Sequence, residues 1–254
     1  MKIISVDSST IHQSNQLLRG VQTFTSFISD KSQFVFLEEH LERLLKGADY
    51  LFPSEKWINH KNEIKEFLKN EFVPSHYFRL SICEDRLMFS KKTHQPKDPF
   101  IKVAKAKSAK VTSIIPAFVK SSNYLLAEME IRESKKDDVI FFDAQGNLTE
   151  ASTSNIFVLL DDKTFLTPKI SSMVLDGVTR KKLILYLNTQ NIRVLECDIS
   201  QSELESAREI WFTNSIQGLR LVDSIDNNQM YKDKTIYQMT CHNFGRFGEK
   251  FNHE

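Results

Sequence analysis

A change of hydrophobic period near residue 38 limits the folds open to this chain. Before it, VQTFTSFI and SDKSQFVFL are two β-rich runs around a polar SDKS turn, which predicts a hairpin. The stretch EEHLERLLKGADYLF then takes up helical spacing and ends before Pro53. Its apolar residues fall on one helical face: Leu41, Leu44, Leu45, Ala48 and Leu51. A hairpin followed by an amphipathic helix indicates an α+β arrangement.

The same alternation continues along the chain. IISVD predicts an N-terminal strand, residues 54–70 a second helix, and HYFRLSICEDRLMFSKK a strand pair. Farther on, IKVAKAKS, VTSIIPAF, DDVIFF and EIWFTNSI have strand character, whereas GVTRKKLILYLNTQN and residues 232–250 predict helices. A chain of 254 residues can form two packed lobes. We therefore expect an N-terminal α+β lobe over residues 1–112 and a C-terminal α/β lobe over residues 113–254.

Composition argues against several classes of partner and location. The net charge of +1 leaves no broad positive field to hold a polyanion, so nucleic acid is not an expected partner. Cys83, Cys197 and Cys241 lie far apart with no CxxC pair, which indicates neither a disulfide framework nor a zinc site. No apolar run has the length of a signal peptide or a membrane span. We expect a cytoplasmic protein with no membrane partner.

Lys120 follows the apolar run IIPAFV, where we expect a strand to give way to a helix. Partial burial at such a place disfavours the ammonium form, and the neutral amine is the form that attacks an aldehyde. From position alone, a solvated surface charge is the more common alternative for a lysine.

Two further segments could serve a cofactor that has a ring nitrogen and a phosphate. LTEASTSNIF places Glu150 at a strand end, where a carboxylate can keep a ring nitrogen protonated; an exposed glutamate at a turn is the alternative. GVTRKKLILYL places Val178 and Thr179 at a helix start after Gly177. Free backbone amides and a hydroxyl there can receive a phosphate, although a plain N-cap is the alternative.

Together these stretches resemble the class IV, or fold-type IV, aminotransferases, the family of branched-chain and D-amino-acid aminotransferases and 4-amino-4-deoxychorismate lyase. The resemblance runs from HLERL at residue 40 through VKSSNYLLAEME and DAQGNLTEASTSNIFVL to LTP at residues 166–168 and LDGVTRKKL. It implies a two-lobed α+β fold like that of D-amino-acid aminotransferase, with pyridoxal 5′-phosphate between the lobes. It also implies a small-molecule amino substrate and a homodimer.

The resemblance assigns roles to individual residues. Lys120 becomes the lysine that holds the cofactor as a Schiff base, and Glu150 the partner of its ring nitrogen. The implied phosphate contacts are Arg43, Val178, Thr179, Asn214 and Ser215. Asn155 is expected to fix the local turn. Tyr124 is either a donor to the phenolic oxygen or a packing residue, because this chain has one residue fewer between lysine and tyrosine than the relatives that use one.

The stretches expected to face the substrate depart from the family. Relatives often carry an Arg-Gly pair in the strand after the first helices, where this chain has LSICEDR. Arg79 and Arg86 are possible substitutes, each with a solvated strand residue as the alternative. The segment WFTNSIQGLRLV resembles the NSLRGL-type stretch of aminodeoxychorismate lyases, which would place Gln217 to Arg220 near the substrate.

These patterns favour a lyase that releases 4-aminobenzoate and pyruvate from 4-amino-4-deoxychorismate in folate biosynthesis. The alternative is a branched-chain or D-amino-acid aminotransferase, in which a keto acid closes the cycle. A catalytically silent binding protein on the same scaffold is a third possibility, because a fold does not guarantee an activity. The presence of both Lys120 and Glu150 argues against it.

Overall fold

The chain forms two compact units in a computed structural model that describes residues 2–5, 19–161, 163–230 and 234–251. Unit 1 comprises Met1–Gln95 and Phe118–Asn123, and unit 2 comprises Pro96–Ala117 and Tyr124–Glu254. Each unit contains its own sheet and its own helices, which confirms the α+β class. The segment that carries Lys120 therefore returns to unit 1 after the chain has entered unit 2.

Unit 1 is built on a four-stranded sheet in the order β1-β4-β3-β2. Its elements are β1 (Lys2–Ser5), β2 (Thr23–Ile28), α1 (Leu37–Leu51), a 3₁₀ turn (Trp57–His60), α2 (Lys61–Asn70), β3 (His76–Cys83) and β4 (Arg86–Thr93). Strand β3 pairs antiparallel with β2 and β4, while β1 pairs parallel with β4. The predicted first helix and strand pair are confirmed. The N-terminal strand is confirmed as far as Ser5, and residues 6 and 7 of the predicted strand lie outside the described residues. The second helix begins at Lys61 after the 3₁₀ turn, later than the predicted start at residue 54.

Helix α1 packs its apolar face into the core of unit 1. Leu41, Leu44, Leu45 and Ala48 are each at most 1% exposed, as their helical spacing predicts. They pack with sheet residues that include Phe27. Since such an apolar face is stabilised only by what it is packed against, the sheet and α1 stabilise each other.

The prediction that FVFL forms the second strand of a hairpin is wrong. Only the isolated bridge between Ser29 and Phe34 joins it to the preceding run. Phe36 takes a left-handed conformation, with φ of 55°, directly before α1 begins. The chain thus turns into the helix after a single bridge, so the pairing does not continue beyond it.

Unit 2 is built on a nine-stranded sheet in the order β10-β9-β8-β11-β12-β5-β6-β7, with β13 paired to β12. Its elements are β5 (Phe100–Lys105), α3 (Leu125–Ser134), β6 (Asp138–Phe142), β7 (Leu148–Ala151), β8 (Asn155–Asp161), β9 (Thr164–Pro168), α4 (Val178–Thr189), β10 (Arg193–Cys197), α5 (Gln201–Ser206), β11 (Glu209–Asn214), β12 (Gly218–Ile225), β13 (Asn228–Gln229), α6 (Thr235–Asn243) and a 3₁₀ turn (Glu249–Phe251). Strands β7 and β11 and helix α4 carry or adjoin the predicted site residues.

The stretch VTSIIPAF, predicted as a strand, is irregular. Ile114 is 94% exposed, so its apolar side chain has no sheet face to cover it. Pro116 has no N–H to donate to a neighbouring strand, which disfavours pairing at this point. Lys120 therefore follows a loop rather than a strand, and α3 begins only at Leu125.

The predicted terminal helix over residues 232–250 is shorter in the structure. Residues 232 and 233 lie outside the described residues. Helix α6 ends at Asn243, and Gly245 follows with φ of 84°, a left-handed conformation that ends helices. Within the described ranges, none of the helices is both long enough and apolar enough to cross a membrane.

Candidate active site

Lys120 lies beside β2 on the segment Phe118–Asn123 of unit 1. Its carbonyl oxygen accepts the backbone N–H of Phe24 at 2.9 Å, and its Nζ lies 5.0 Å from the centre of the Phe24 ring. Phe24 and Val119 are 3% and 6% exposed, whereas Lys120 itself is half-buried. The lysine side chain therefore lies against an apolar surface.

A chain of three polar side chains links α1 to β2 in the same unit. Arg43 Nη2 donates to Thr25 Oγ1 at 3.3 Å, and Thr25 Oγ1 lies 2.7 Å from His40 Nδ1. Burial, together with the positive charges of Arg43 and Lys120, lowers the pKa of His40 well below its usual range. His40 is thus neutral at neutral pH, and its Nδ1 can accept the Thr25 proton. This contact fixes the hydroxyl to which the Arg43 guanidinium donates.

Arg79 projects from β3 and stacks on the ring that also faces Lys120. Its guanidinium carbon lies 3.7 Å from the centre of the Phe24 ring. Arg79 Nε donates to Ser81 Oγ, and Arg79 Nη2 donates to Ser122 Oγ, both at 3.2 Å. This arginine is therefore a cation held in place on three sides rather than a solvated strand residue.

Arg86, the other possible substitute for the family arginine, has a different environment. It lies at the start of β4, and its Nε pairs with the neighbouring Asp85 at 3.7 Å. The structure thus separates the two arginines: Arg79 lies with Lys120 around one aromatic ring, whereas Arg86 lies at a turn.

Glu150 lies on β7 of unit 2 with both carboxylate oxygens engaged. Its Oε1 pairs with Lys110 Nζ, and its Oε2 accepts the backbone N–H of Leu175 at 2.8 Å. Lys110 Nζ also donates to the carbonyl oxygen of Met173 at 2.9 Å. A carboxylate oxygen can accept more than one hydrogen bond, so Glu150 can still receive a ring N–H.

The start of α4 presents a set of donors that fits a phosphate. Gly177 is the N-cap residue, in an extended conformation, and no side chain caps this helix end. Thr179 Oγ1 and Ser215 Oγ lie 3.0 Å apart beside the first turn. Uncapped backbone N–H groups carry the positive end of the helix dipole, where an anion is stabilised. The predicted helix start at Val178 is confirmed.

Asn214 organises the turn that carries Ser215. Its Oδ1 accepts the backbone N–H groups of Ile216 and Gln217 at 2.9 and 2.6 Å. Its Nδ2 donates to Ser154 Oγ at 2.9 Å. These contacts commit the amide to the protein itself, which indicates that Asn214 positions Ser215.

The side chains of Gln217 and Arg220 are also engaged within unit 2. Gln217 Oε1 accepts the backbone N–H of Lys97 at 2.7 Å. Arg220 is 8% exposed, and its Nε donates to the carbonyl oxygen of Asp98 at 3.0 Å. Both side chains therefore fix the segment before β5, which weakens the case for their expected contact with a substrate.

The predicted site residues thus divide between the two units. Unit 1 holds Lys120 and Arg43, and unit 2 holds Glu150, Val178, Thr179, Asn214, Ser215 and Tyr124. Tyr124 is half-buried at the N-cap of α3. The sequence did not single out Thr25, His40 or Lys110, whose contacts exist only once distant segments are folded together.

Gly177→Ala is expected to destabilise the turn that leads into α4. A Cβ at this position would collide with Oδ1 of Asn155, which is 5% exposed and donates through Nδ2 to the Leu175 carbonyl at 2.8 Å. Because the neighbour is buried and hydrogen-bonded, we expect a loss of about 1–3 kcal/mol in the free energy of unfolding, measured by denaturant titration.

The double variant Gly177→Ala/Asn155→Ala provides the control. If the collision is the cause, the two changes together cost less than the sum of their separate effects. Additive losses would show that the collision with Asn155 is not the cause.

The sequence of this chain is similar to those of several known proteins. The family model for amino-transferase class IV matches residues 22–225. A "Probable branched-chain-amino-acid aminotransferase" of Aquifex aeolicus is 27% identical over 255 residues, which cover 89% of this chain and 81% of that protein. An aminodeoxychorismate lyase of Vibrio harveyi is 29% identical over 116 residues, which cover 46% of this chain and 42% of the lyase.

Solved structures share the fold. An aminotransferase from Brucella abortus, crystallised with its cofactor PLP, has a TM-score of 0.79 at 18% identity. The match covers 96% of this chain and 93% of the Brucella chain. The crystal structure of a protein from Legionella pneumophila, described as a 4-amino-4-deoxychorismate lyase, has a TM-score of 0.77 at 22% identity. The match covers 95% of this chain and 98% of the Legionella chain. At these identities the likeness concerns the fold and does not separate the two activities.

Proposed function

This chain belongs to the amino-transferase class IV family, and from that membership we propose that it is a PLP-dependent aminotransferase that moves the amino group of a branched-chain amino acid to a keto acid. The observation that carries this choice is the extent of similarity. The branched-chain aminotransferase relative matches along 89% of the chain, whereas the lyase relative matches along 46%. Amino transfer therefore replaces the lyase activity that the sequence patterns favoured.

The side chains described above fit pyridoxal 5′-phosphate. When bound, this cofactor supplies an aldehyde that condenses with amines and a protonated ring that draws electrons from the adjacent substrate carbon. We assign Lys120 as the amine that binds the aldehyde of the cofactor and Glu150 as the acceptor of the ring N–H. We assign the start of α4 as the phosphate site. The hydroxyls of Thr179 and Ser215, 3.0 Å apart beside an uncapped helix end, are donors that suit a phosphate.

Lys120 has a second role in the proposal. With the cofactor bound, Nζ of Lys120 would also be the base that takes the proton from the substrate carbon and the acid that delivers it at the end of the transfer. Its position supports this assignment, because the backbone is fixed by the hydrogen bond from Phe24 while the side chain stays half-buried.

Arg43→Ala is expected to weaken cofactor retention more than it slows turnover at saturating cofactor. Loss of a charge-assisted contact to a phosphate predicts a rise of roughly 10- to 100-fold in the dissociation constant. Cofactor titration of the dialysed protein, followed by absorbance, measures it. Arg132→Ala, at an exposed arginine on α3, is the matched control. Equal cofactor affinity in the Arg43 variant and the wild type would remove Arg43 from the site.

We assign the substrate carboxylate to Arg79. Its guanidinium is stacked on Phe24, near Lys120, and already oriented by two serine hydroxyls, so little ordering is needed to receive an anion. Arg79→Lys keeps the charge and loses the planar fork. We therefore expect KM for the amino acid to rise about tenfold or more in both Arg79→Lys and Arg79→Ala, with a larger rise for alanine. An unchanged KM in Arg79→Ala would exclude the assignment.

The second candidate function is the lyase. It is favoured by the likeness of WFTNSIQGLRLV to a lyase stretch and by the partial match to the Vibrio harveyi enzyme. The bonds of Gln217 and Arg220 to residues 97 and 98 give this likeness less weight. A lyase would need no second substrate, since elimination divides one substrate into both products.

Dependence on an acceptor separates the two activities. The purified protein is supplied with L-leucine or with 4-amino-4-deoxychorismate, each with and without 2-oxoglutarate. The proposal predicts that leucine is consumed over many turnovers only when 2-oxoglutarate is present, and that 2-oxoglutarate is converted to glutamate. Release of 4-aminobenzoate and pyruvate without any keto acid would decide for the lyase and against the proposal.

A further inference from the structure

Lys110 is a charged residue of unit 2 that neither the family resemblance nor the assignments above explain. It lies on the segment after β5, and its backbone N–H donates to the Phe142 carbonyl at 2.7 Å at the end of β6. Its ammonium pairs with Glu150 and donates to the Met173 carbonyl at 2.9 Å. The backbone and the head group of Lys110 are therefore both held in place.

The pair between Lys110 and Glu150 differs from the surface ion pairs of this chain. Their side chains are 28% and 16% exposed, whereas those of Lys169 and Asp198 are 57% and 68% exposed. Exposed pairs contribute little because water screens them, but a partly buried charge affects its partner more strongly. Glu150 is thus the carboxylate of the proposed site that carries its own counter-charge.

We propose that Lys110 is a positioning residue that holds the Glu150 carboxylate in the orientation in which it accepts the ring N–H of the cofactor. The inference rests on the proposed function, because it takes Glu150 as the acceptor of that ring N–H. Lys110 does not touch the reacting atoms in this account. It acts through the carboxylate alone.

The two contacts of the carboxylate determine the direction of the effect. Lys110 Nζ contacts Oε1 and the Leu175 N–H occupies Oε2, so both carboxylate oxygens are held in place. Without Lys110 the carboxylate is held at one oxygen only, and the ring N–H loses an acceptor of fixed position. The ring then draws electrons from the substrate less strongly.

Leu175 also helps to orient the Glu150 carboxylate. Its N–H occupies Oε2, while Lys110 occupies Oε1 and also holds the nearby Met173 carbonyl. A purely structural role, in which the pair only ties β7 to residues 173–175, would alter stability but would not move the ring proton. A readout of that proton therefore separates the two roles.

The test uses the protein reconstituted with PLP that carries ¹⁵N in the ring. The ¹⁵N chemical shift reports ring protonation, and turnover is measured on the same samples. For Lys110→Met we expect the shift to move towards the unprotonated value and turnover to fall roughly 10- to 100-fold, the worth of a hydrogen bond to a charged group. Lys110→Arg, which keeps the charge and the donors, should restore both, and Lys169→Met should change neither.

A double-mutant cycle shows whether Lys110 acts through Glu150. In the Glu150→Gln background, Lys110→Met should have no further effect on the shift or on turnover. If Lys110→Met does not fold, Lys110→Gln removes the same charge while keeping a shorter N–H donor, and its shift should move in the same direction. A wild-type shift in the folded variant, or an undiminished effect in the Glu150→Gln background, would overturn the inference.

Failure of the proposed function gives a different result. In that case the wild-type protein itself would show no protonated ring nitrogen and no cofactor attached to Lys120, whatever stands at position 110. If the wild type and Glu150→Gln behave as proposed and only Lys110→Met is silent, the inference on Lys110 alone is wrong.

Discussion

Lys120→Ala is expected to abolish covalent attachment of the cofactor and to lower turnover on the order of 10⁴-fold or more. Alanine has no amine to condense with the aldehyde and no base to move the substrate proton, so two functions are lost together. The visible absorbance band of the lysine-bound cofactor should vanish in the spectrum of the purified variant. Cofactor held through its phosphate can remain, since the start of α4 is unchanged.

Lys31→Ala is the matched control for this variant. Lys31 is an exposed lysine of the same unit, and its replacement should leave both the spectrum and turnover at wild-type values. Wild-type turnover in Lys120→Ala would contradict the assignment of the lysine. A retained absorbance band that survives dialysis would contradict it as well.

Glu150→Gln is expected to retain the cofactor and to lower turnover about 10²- to 10³-fold. The amide has nearly the shape of the carboxylate, and its oxygen can still accept the Leu175 N–H, while its NH2 group then faces the Lys110 ammonium. It carries no negative charge, and therefore it cannot stabilise a protonated ring nitrogen. Steady-state kinetics at saturating cofactor measure the loss, and cofactor content by absorbance shows that binding persists.

Glu205→Gln gives the comparison for a glutamate that also pairs with a lysine. Its side chain is 61% exposed and pairs with Lys105, so its loss should leave turnover unchanged. Near-normal turnover in Glu150→Gln would remove the ring-nitrogen role. Loss of the cofactor from that variant would show instead that Glu150 anchors the cofactor rather than tuning its ring.

Local sequence signals predicted the elements that carry much of the candidate site. The spacing of Leu41, Leu44 and Leu45 predicted the buried face of α1, and Gly177 followed by Val178 predicted the start of α4. These signals are local because helix periodicity and capping involve residues within one or two turns. The stretch VTSIIPAF was wrongly predicted as a strand because apolar content alone does not provide a sheet neighbour.

Contacts between distant segments could not be predicted in the same way. Lys110 and Glu150 are separated by 40 positions, and nothing in the residues around Lys110 marks it among the other lysines. The link from Arg43 to Thr25 and His40 likewise depends on the packing of α1 against β2. Such pairs follow from tertiary structure, and the sequence offers only the residue types.

Other expectations stay predictions. The lobe division at residue 112, the homodimer, the cytoplasmic location and the contacts of the site residues with a cofactor were inferred from sequence or from family resemblance. The family and the fold are shown by the match over residues 22–225 and by the solved structures. The choice between amino transfer and elimination depends on residues around the substrate, where this chain departs from its family at LSICEDR.

Borohydride reduction of the wild-type protein followed by peptide mapping tests the central claim most directly. Reduction fixes the cofactor to whichever lysine holds it, and mass spectrometry of the digest identifies that residue. We expect a single phosphopyridoxyl group, on the peptide that contains Lys120. A label on Lys110 or any other lysine, or no label on protein that has been saturated with the cofactor, would contradict it.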